Sequence, residues 1–410
     1  MNMNHSMKRP IVIHFFRVSL VLSSLFLMNS AWSQTPQALK NLIHELEGNS
    51  LSLKSIHTAE EANRLEYQTN LFLPNPELGF NYLWSSPAAM GNRRDVTLVQ
   101  SFDFPTAYVY RSDLSDLQIK QSMLAEDLAA LEMRYEISLL YYELVYRGQM
   151  EQEWSVLEEH AEQLTQAYQQ RLDAGDIGIM ELHKVELNGL KVANQRNSIQ
   201  TEIDQLLLDL KVKNGGQLVE LNAFDWDLVS LPASFDDYYL ELRAKNPILM
   251  QLENGISMAQ KQVQLQKALR LPRWSAGYMD EYTVFQNVQG ISVGMSLPLW
   301  EQKNKVKWAK ANQLAAQSAL EEYELYFRVE AEKAFRTALK LDAQIRLFEE
   351  KMAELNQLDR LGKALDSGQI SLMEYLFEIN FYTENTMSLL KLKRDLRIAW
   401  VNLHRFSAVD

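Results

Sequence analysis

The sequence predicts a mainly α-helical protein with a small β part, and this plan occurs twice along the chain. Two short segments, 96–104 and 290–300, alternate apolar with small or polar residues, which is typical of strands whose two faces differ. Each leads into a long run without Gly or Pro, 106–147 and 301–361, rich in Ala, Leu, Glu, Lys and Gln. Such a composition favours a very long helix. The two units lie about 195 residues apart, so we expect an internal duplication.

Composition and charge narrow the function classes. The chain has 410 residues and carries 53 acidic against 41 basic residues, for a formal net charge of −12. No basic stretch forms a nucleic-acid footprint, so nucleic acid is not an expected partner. There is no cysteine, which excludes disulfides, thiolate metal sites and a cysteine nucleophile.

The N-terminus, residues 1–33, predicts a secretory signal peptide. Lys8 and Arg9 supply the positive end, an apolar run covers 18–28, and Ala31-Trp32-Ser33 places small residues at a cleavage site. The alternative is an anchoring helix, but the run is short and Arg17 interrupts its upstream side. No later segment is apolar enough for a transmembrane helix, so the expectation is a secreted, periplasmic or outer-membrane β-protein.

The first structural unit is expected to span residues 34–216. Pro and Gly clusters separate its helical and alternating segments. The predicted elements are a helix over 37–70 with a break at 48–50, a β-hairpin region 77–105 with strands over 77–84 and 96–104, a helix over 106–174 with an interruption at Gly148, and a helix over 177–212.

The irregular connection 217–236 leads to a second unit, 237–410, with the same order of elements. Here the predicted elements are a helix over 237–268 broken at 245–247, a hairpin region 273–300 with strands over 274–279 and 290–300, a helix over 301–361 and a helix over 371–404.

Each chain thus offers four short strands, too few to close a membrane barrel, and an open sheet edge is not tolerated in lipid. Other subunits would have to complete the barrel, and three copies would supply twelve strands. The alternative is a small soluble β-subdomain in which the same aromatic faces point to a core. The residues expected on the outer face of the barrel are Leu78, Phe80, Tyr82, Trp84, Tyr278, Ile291, Val293, Met295 and Leu297, with Gly79, Asn81, Ser292, Gly294 and Ser296 on the other face.

This layout resembles the TolC-family outer-membrane factors over essentially the whole mature chain. The telling segments are Leu73-Pro74-Asn75-Pro76-Glu77-Leu78, Gly290-Ile291-Ser292-Val293-Gly294-Met295-Ser296-Leu297-Pro298-Leu299-Trp300, and two similar turns around Gly175 and Gly368. The resemblance implies a TolC-like α/β barrel: a homotrimer with a β-barrel in the outer membrane and a helical tunnel in the periplasm. It also implies a periplasmic adaptor and an inner-membrane efflux pump as partners, outer-membrane lipid as surroundings, and neither catalysis nor a cofactor.

The two turns are expected at the periplasmic tip of the tunnel, where the resemblance places the adaptor contact. Segment 173–181 aligns with segment 366–374. The residues assigned to the tip are Asp173, Gly175, Asp176, Asp366 and Gly368.

Glu181 and Glu374 follow their turn glycines at equal spacing. The resemblance implies a ring at the tunnel entrance, because some members of the family place an acidic residue at the position of Glu374. Three converging carboxylates would attract cations and resist tight closure, so Glu181 and Glu374 are candidates for such a ring. Alternatively, both are solvated glutamates favoured at a helix N-terminus by the helix dipole. Ile370 occupies the position where close relatives of the family's best-known drug and secretion channels carry an Arg at the tip. The gating contact that this Arg would make is therefore in doubt here.

No catalytic set occurs: the sequence has no Gly-rich phosphate loop, no His-Glu-x-x-His and no nucleophile elbow. The 16 Met raise metal ions as a cargo, but they are dispersed, and Met is common core filler. The leading hypothesis is therefore a passive export channel, for metal ions or drugs, in an efflux pump or a type I secretion system. The rival is a periplasmic coiled-coil scaffold that never enters a membrane.

Overall fold

The computed structural model describes residues 37–69, 71–86, 91–221, 226, 230–355 and 358–406. The expected signal segment lies outside these residues. The side chains of residues 354, 355, 358, 359 and 366 also lie outside the description.

Long helices flank a small sheet, which confirms the predicted fold class. In chain order the elements are α1 (Gln37–Asn49), α2 (Leu51–Thr69), β1 (Glu77–Leu83), β2 (Arg93–Phe102), α3 (Pro105–Asp173), α4 (Ile179–Lys213), α5 (Phe235–Lys245), α6 (Pro247–Ala268), β3 (Arg273–Thr283), β4 (Asn287–Ser296), α7 (Lys305–Leu355), α8 (Leu358–Asp366) and α9 (Leu372–Leu403).

Helix α3 runs through 69 residues, about 100 Å at ~1.5 Å per residue. It begins with Pro105, whose fixed φ suits the first helical position. The lack of an N–H in proline costs nothing there, because an N–H at this position has no partner within the helix. The predicted interruption at Gly148 is wrong, because the helix continues through it and buries it. A single helical Gly costs only about 1 kcal/mol relative to Ala. The buried neighbours Tyr146 and Met150 pack with Ile199 of α4 and offset that cost.

The strands form one antiparallel sheet in the order β1-β2-β3-β4. Each hairpin is closed by pairing between sequence neighbours, and the β2–β3 pairing joins the two hairpins, with Val96 opposite Asp280 and Phe102 opposite Trp274. No helix in the described part of the chain is long and apolar enough to cross a membrane.

Strand β4 ends at Ser296, so the predicted strand to residue 300 was too long. Pro298 has no N–H to donate to a ladder, which stops the strand before it. Residues 301–304 form turns, and Asn304 has a φ of 65°. The following helix therefore starts at Lys305 rather than at the predicted residue 301.

The hydrophobic core is spread along the helices as several clusters. The cluster around Leu39, Ile137 and Leu210 joins α1, α3 and α4 to Trp400 of α9. A second cluster contains Leu182, Val185 and Tyr375 and joins the far ends of the helices. The helices are therefore held to one another at intervals along their length, with both helix-connecting turns at one end.

Candidate functional site

One face of the sheet is apolar and exposed. Residues that pair directly across an antiparallel ladder lie on the same face. The register therefore aligns Leu78, Leu98, Tyr278 and Ile291 in one row across all four strands. Ile291 is 84% exposed and Leu78 is 75% exposed. The other large exposed residues of this face are Phe80, Tyr82, Trp274, Tyr282, Val293 and Met295.

Two residues expected on this face lie outside the strands. Trp84 follows the last residue of β1, and its ring contacts Tyr82 edge-on at 5.5 Å between ring centroids. Leu297 follows the last residue of β4 and is exposed. Both continue the apolar surface at opposite ends of the sheet.

The opposite face carries mainly small or polar residues, although Leu83, Met279 and Val288 also lie on it. Three glycines on it lie directly across from hydroxyl side chains: Gly79 from Thr97, Gly277 from Ser292, and Gly294 from Ser275. A Cβ atom on any of these glycines would lie 2.5–2.7 Å from the partner's hydroxyl oxygen. The hydroxyl groups therefore lie over the glycines, in space that a larger side chain would need.

The two outer strands have open edges. Within the described residues, β1 pairs only with β2 and β4 pairs only with β3. Each edge presents backbone N–H and C=O groups that a further strand could satisfy.

Ion pairs that the sequence analysis missed hold both ends of the sheet. At the hairpin-turn end, Arg93 Nε contacts Asp95 Oδ1 at 2.7 Å, and its Nη2 contacts Glu281 Oε2 at 3.0 Å. At the helix end, Arg273 Nε contacts Asp103 Oδ1 at 3.0 Å. The pairs Arg93–Glu281 and Arg273–Asp103 join segments far apart in sequence, so no local pattern could reveal them.

The two helix-connecting turns have the same geometry. Gly175 adopts a φ of 78° and Gly368 a φ of 70°. At the first turn, Gly175 N–H donates to Leu172 O at 2.9 Å, and the next N–H donates five residues back, to Arg171 O, at 2.8 Å. The second turn repeats both bonds, with Gly368 as the left-handed residue. This is the Schellman motif, which ends a helix with a left-handed glycine.

Both turns pack into one cluster, so the structure brings the predicted tip residues together. Ile177 and Ile370, each two residues after its turn glycine, are half-buried against this cluster. Ile370 therefore has an apolar packing partner at the position where the sequence analysis noted a missing Arg. Met180 and Met373 follow the glycines at equal spacing and stay exposed, at 65% and 56%.

The acidic tip residues differ in their surroundings. Asp173 Oδ1 accepts a hydrogen bond from Gln169 Nε2 at 2.9 Å, and Asp176 is exposed. Asp366 ends α8, but its side chain lies outside the described residues.

Glu374 forms a capping box with Ser371. Its Oε2 accepts from the Ser371 N–H and hydroxyl, both at 2.8 Å, and these hydrogen bonds lower the pKa of the carboxyl below its ordinary value. Glu181 occupies the same position in α4, but that helix is preceded by Gly178, which has no side chain to cap it. The carboxylate of Glu181 is exposed. The structure thus gives Glu374 a local helix-capping role and gives Glu181 none.

A cleft of about 720 Å³ opens between α7, α8 and α9. It is lined mainly by apolar side chains, among them Leu347, Phe348 and Phe381, and Leu347 and Phe381 are largely exposed. No group of three or more His, Cys, Asp or Glu side chains suited to a metal ion occurs among the described residues.

No family model and no curated protein matches the sequence. Solved structures do match in fold. A CusC structure, described in terms of folding and transmembrane channel formation, has a TM-score of 0.75 at 16% identity and covers 92% of this chain and 94% of that one. The CmeC outer membrane channel of Campylobacter jejuni has a TM-score of 0.75 at 16% identity, covering 90% and 85%. The MtrE outer membrane channel of Neisseria gonorrhoeae, in an open state, has a TM-score of 0.74 at 15% identity, covering 90% and 88%. The predicted TolC-like fold is thereby confirmed.

Proposed function

We propose that the chain is an outer-membrane channel, a passive duct through which an export system releases its cargo from the cell. The fold shared with outer-membrane channels supports this proposal. The observation that carries it is the two-faced sheet. A row such as Leu78–Leu98–Tyr278–Ile291 exposes apolar surface that water disfavours and lipid accepts. The small polar side chains of the other face suit a water-filled lumen.

A homotrimer would complete the barrel. The open edges of β1 and β4 belong to one sheet of four strands, and three such sheets pairing edge to edge would leave no unpaired backbone in lipid. A neighbouring copy would also cover the apolar cleft between α7, α8 and α9. We further infer that residues 34–216 and 237–410 arose by duplication, an inference supported by the matching turns at Gly175 and Gly368.

The tip is the proposed contact for a periplasmic adaptor, which would connect the channel to an inner-membrane pump. The turns at Gly175 and Gly368 lie side by side, and each is followed by an exposed methionine. Met adapts its shape to a partner surface, so this pair suits docking against another protein. The pump would supply the energy and the cargo, metal ions or drugs, while the duct itself performs no chemistry.

Cysteine labelling in intact cells tests the location, because the chain has no cysteine of its own. Gln286, in the exposed turn between β3 and β4, and Gln369, in the exposed tip turn, allow the same substitution at opposite ends. We expect a membrane-impermeant maleimide to label Gln286→Cys on intact cells and to label Gln369→Cys only after the outer membrane is permeabilised. If both residues are labelled only after permeabilisation, the chain is a periplasmic scaffold and the channel proposal is wrong.

A further inference from the structure

Arg94 lies on the apolar face of the sheet, at its hairpin-turn end. Its direct cross-strand partners are Tyr82 on one side and Tyr282 on the other. Its Cζ atom lies 5.3 Å from the centre of the Tyr282 ring. Cation–π contact of this kind holds a guanidinium in place without neutralising it. The Tyr282 ring therefore positions Arg94 on a face that is mainly apolar.

Arg94 has no direct counter-ion: among the described residues it forms no ion pair, and its side chain is exposed. Arg93, its neighbour in sequence, points to the opposite face and is paired with Asp95 and Glu281. Two consecutive arginines thus differ in face and in partners, and only Arg94 offers its donors to a ligand from outside.

The neighbouring phenol is set up to donate as well. Tyr82 Oη accepts a hydrogen bond from Asn92 Nδ2 at 2.9 Å, so the phenol proton is not used in this bond and can be donated to a ligand. Guanidinium and hydroxyl donors side by side suit a phosphate group, whose oxygens accept several hydrogen bonds at once.

The position of Arg94 along β2 indicates which kind of molecule carries the phosphate group. Arg94 lies eight residues from Phe102, at the helix end of β2, or about 27 Å along the strand at ~3.4 Å per residue. With a strand tilt of about 35–45° this length corresponds to a rise of about 19–22 Å, slightly less than the ~25 Å height of the apolar band of an outer-membrane barrel. On the proposed function, on which this inference rests, Arg94 lies where the apolar band ends and the head groups of the outer leaflet begin.

We propose that Arg94, with Tyr82 and Tyr282, binds a phosphate group on the glycolipid of the outer leaflet, so that each chain carries one lipid-phosphate site. Asp280 lies on the same face, two residues before Tyr282, and its Oδ1 is buried without a hydrogen-bond partner. The negative charge of Asp280 repels a phosphate group nearby. The hydrogen bonds that Arg94 donates to the phosphate must therefore outweigh this repulsion.

The test uses the purified full chain in neutral detergent with EDTA, so that no divalent cation bridges carboxylate and phosphate. The probes are lipid A carrying both phosphates and the same lipid after enzymatic dephosphorylation. We expect the wild type to prefer the phosphorylated lipid roughly tenfold, as for a charge-assisted hydrogen bond. Arg94→Gln should abolish this preference and Arg94→Lys should keep most of it, whereas Asp280→Asn should increase it.

Arg93→Gln is the matched control, because it removes an equal charge one residue away on the other face. The proposal is overturned if Arg94→Gln keeps the preference, or if Arg93→Gln loses it to the same degree. Displacement of the lipid by an equal concentration of inorganic phosphate would also overturn it, because the site would then be one for a free anion. The lipid measurement uses purified protein, so its failure leaves the cysteine-labelling result, and the proposed function, standing.

Discussion

Gly277 lies so close to Leu98 that a Cβ atom on it would be 2.8 Å from the Leu98 carbonyl oxygen. The contact joins β3 to β2, the pair of strands that connects the two hairpins. A backbone atom cannot rotate away as a side chain can, so this position tolerates only glycine without a shift of the strands.

Gly277→Ala should therefore destabilise the sheet by about 1–3 kcal/mol, the usual cost of overpacking. Gly290→Ala is the matched control on the same face, because a Cβ there would meet only Met279 Cγ at an ordinary 3.9 Å. Thermal unfolding of the purified proteins in detergent measures both. Equal melting temperatures for the two variants would show that the sheet is not packed as described.

Replacing a tip glycine by alanine should destabilise its turn, because these glycines have a positive φ. Gly175→Ala places a Cβ at a φ of 78° and should cost about 1–2 kcal/mol of local stability through left-handed strain alone. Gly178→Ala, three residues on, has a φ of −89° and open space around it, and should cost little. Hydrogen exchange of the tip amides reports both, and similar protection in the two variants would contradict the Schellman geometry.

At the tip, the first turn of α4 lacks a side-chain cap, although one substitution would give it the capping sequence of α9. Gly178→Ser would create Ser-Ile-Met-Glu at the start of α4, which matches Ser371-Leu372-Met373-Glu374 at the start of α9. The new hydroxyl should cap α4 while Glu181 reaches back to the backbone, for a gain of a few tenths to about 1 kcal/mol. Slower hydrogen exchange in the first turn of α4 checks this. In Gly178→Ser combined with Glu181→Ala, most of the gain should disappear.

Glu181 is the better candidate for an entrance ring, because Glu374 is engaged by Ser371. Glu181→Gln should lower the preference of the channel for K⁺ over Cl⁻ in planar bilayers, because carboxylate rings favour cations. Glu186→Gln removes an equal charge from an exposed site on the same helix and is the control. If the two variants lower the ratio equally, the effect comes from overall charge and the ring assignment is wrong.

The buried His404 should make stability depend on pH. Burial lowers its pKa from 6.5 to about 4, although the Nδ1–H bond to Trp400 O, 2.9 Å, acts in the opposite direction. The unfolded chain therefore binds more protons between these two values, and the free energy of unfolding should fall as pH falls from about 6.5 to about 4. This loss of unfolding free energy is about 3 kcal/mol per chain, and the His404 contribution stays constant below about pH 4.

His404→Phe keeps the ring stacked on Trp400 and should flatten this part of the stability curve measured by denaturant unfolding. His183→Phe, at an exposed position, should leave the curve unchanged. A slope that persists in His404→Phe would assign the pH dependence to other groups.

Local patterns predicted the strands well because alternation is a property of neighbours in sequence. The two-faced character of 290–296 follows directly from its residues, whereas the predicted end at residue 300 was wrong, because Pro298 has no N–H for the ladder. The left-handed turns at Gly175 and Gly368 were similarly visible as glycine-containing repeats.

The parts that escaped prediction depend on contacts between distant segments. That Arg94 faces outward between Tyr82 and Tyr282 follows from the β2–β3 register, which no pattern within either segment specifies. The continuity of α3 through Gly148 likewise depends on packing against Ile199 and Leu390, supplied by α4 and α9. Propensity alone weighs against a helix at that glycine, and tertiary burial outweighs it.

The pairing of β2 with β3 sets the order in which the molecule can fold. Arg93 pairs opposite Thr283, so a loop of nearly the whole intervening chain must close before the two hairpins meet, and such distant pairings form slowly. Until then the first hairpin exposes an unpaired strand edge and an apolar face, and such surfaces favour aggregation. We therefore expect the chain to be most prone to aggregation in the interval between synthesis of its first hairpin and of its second.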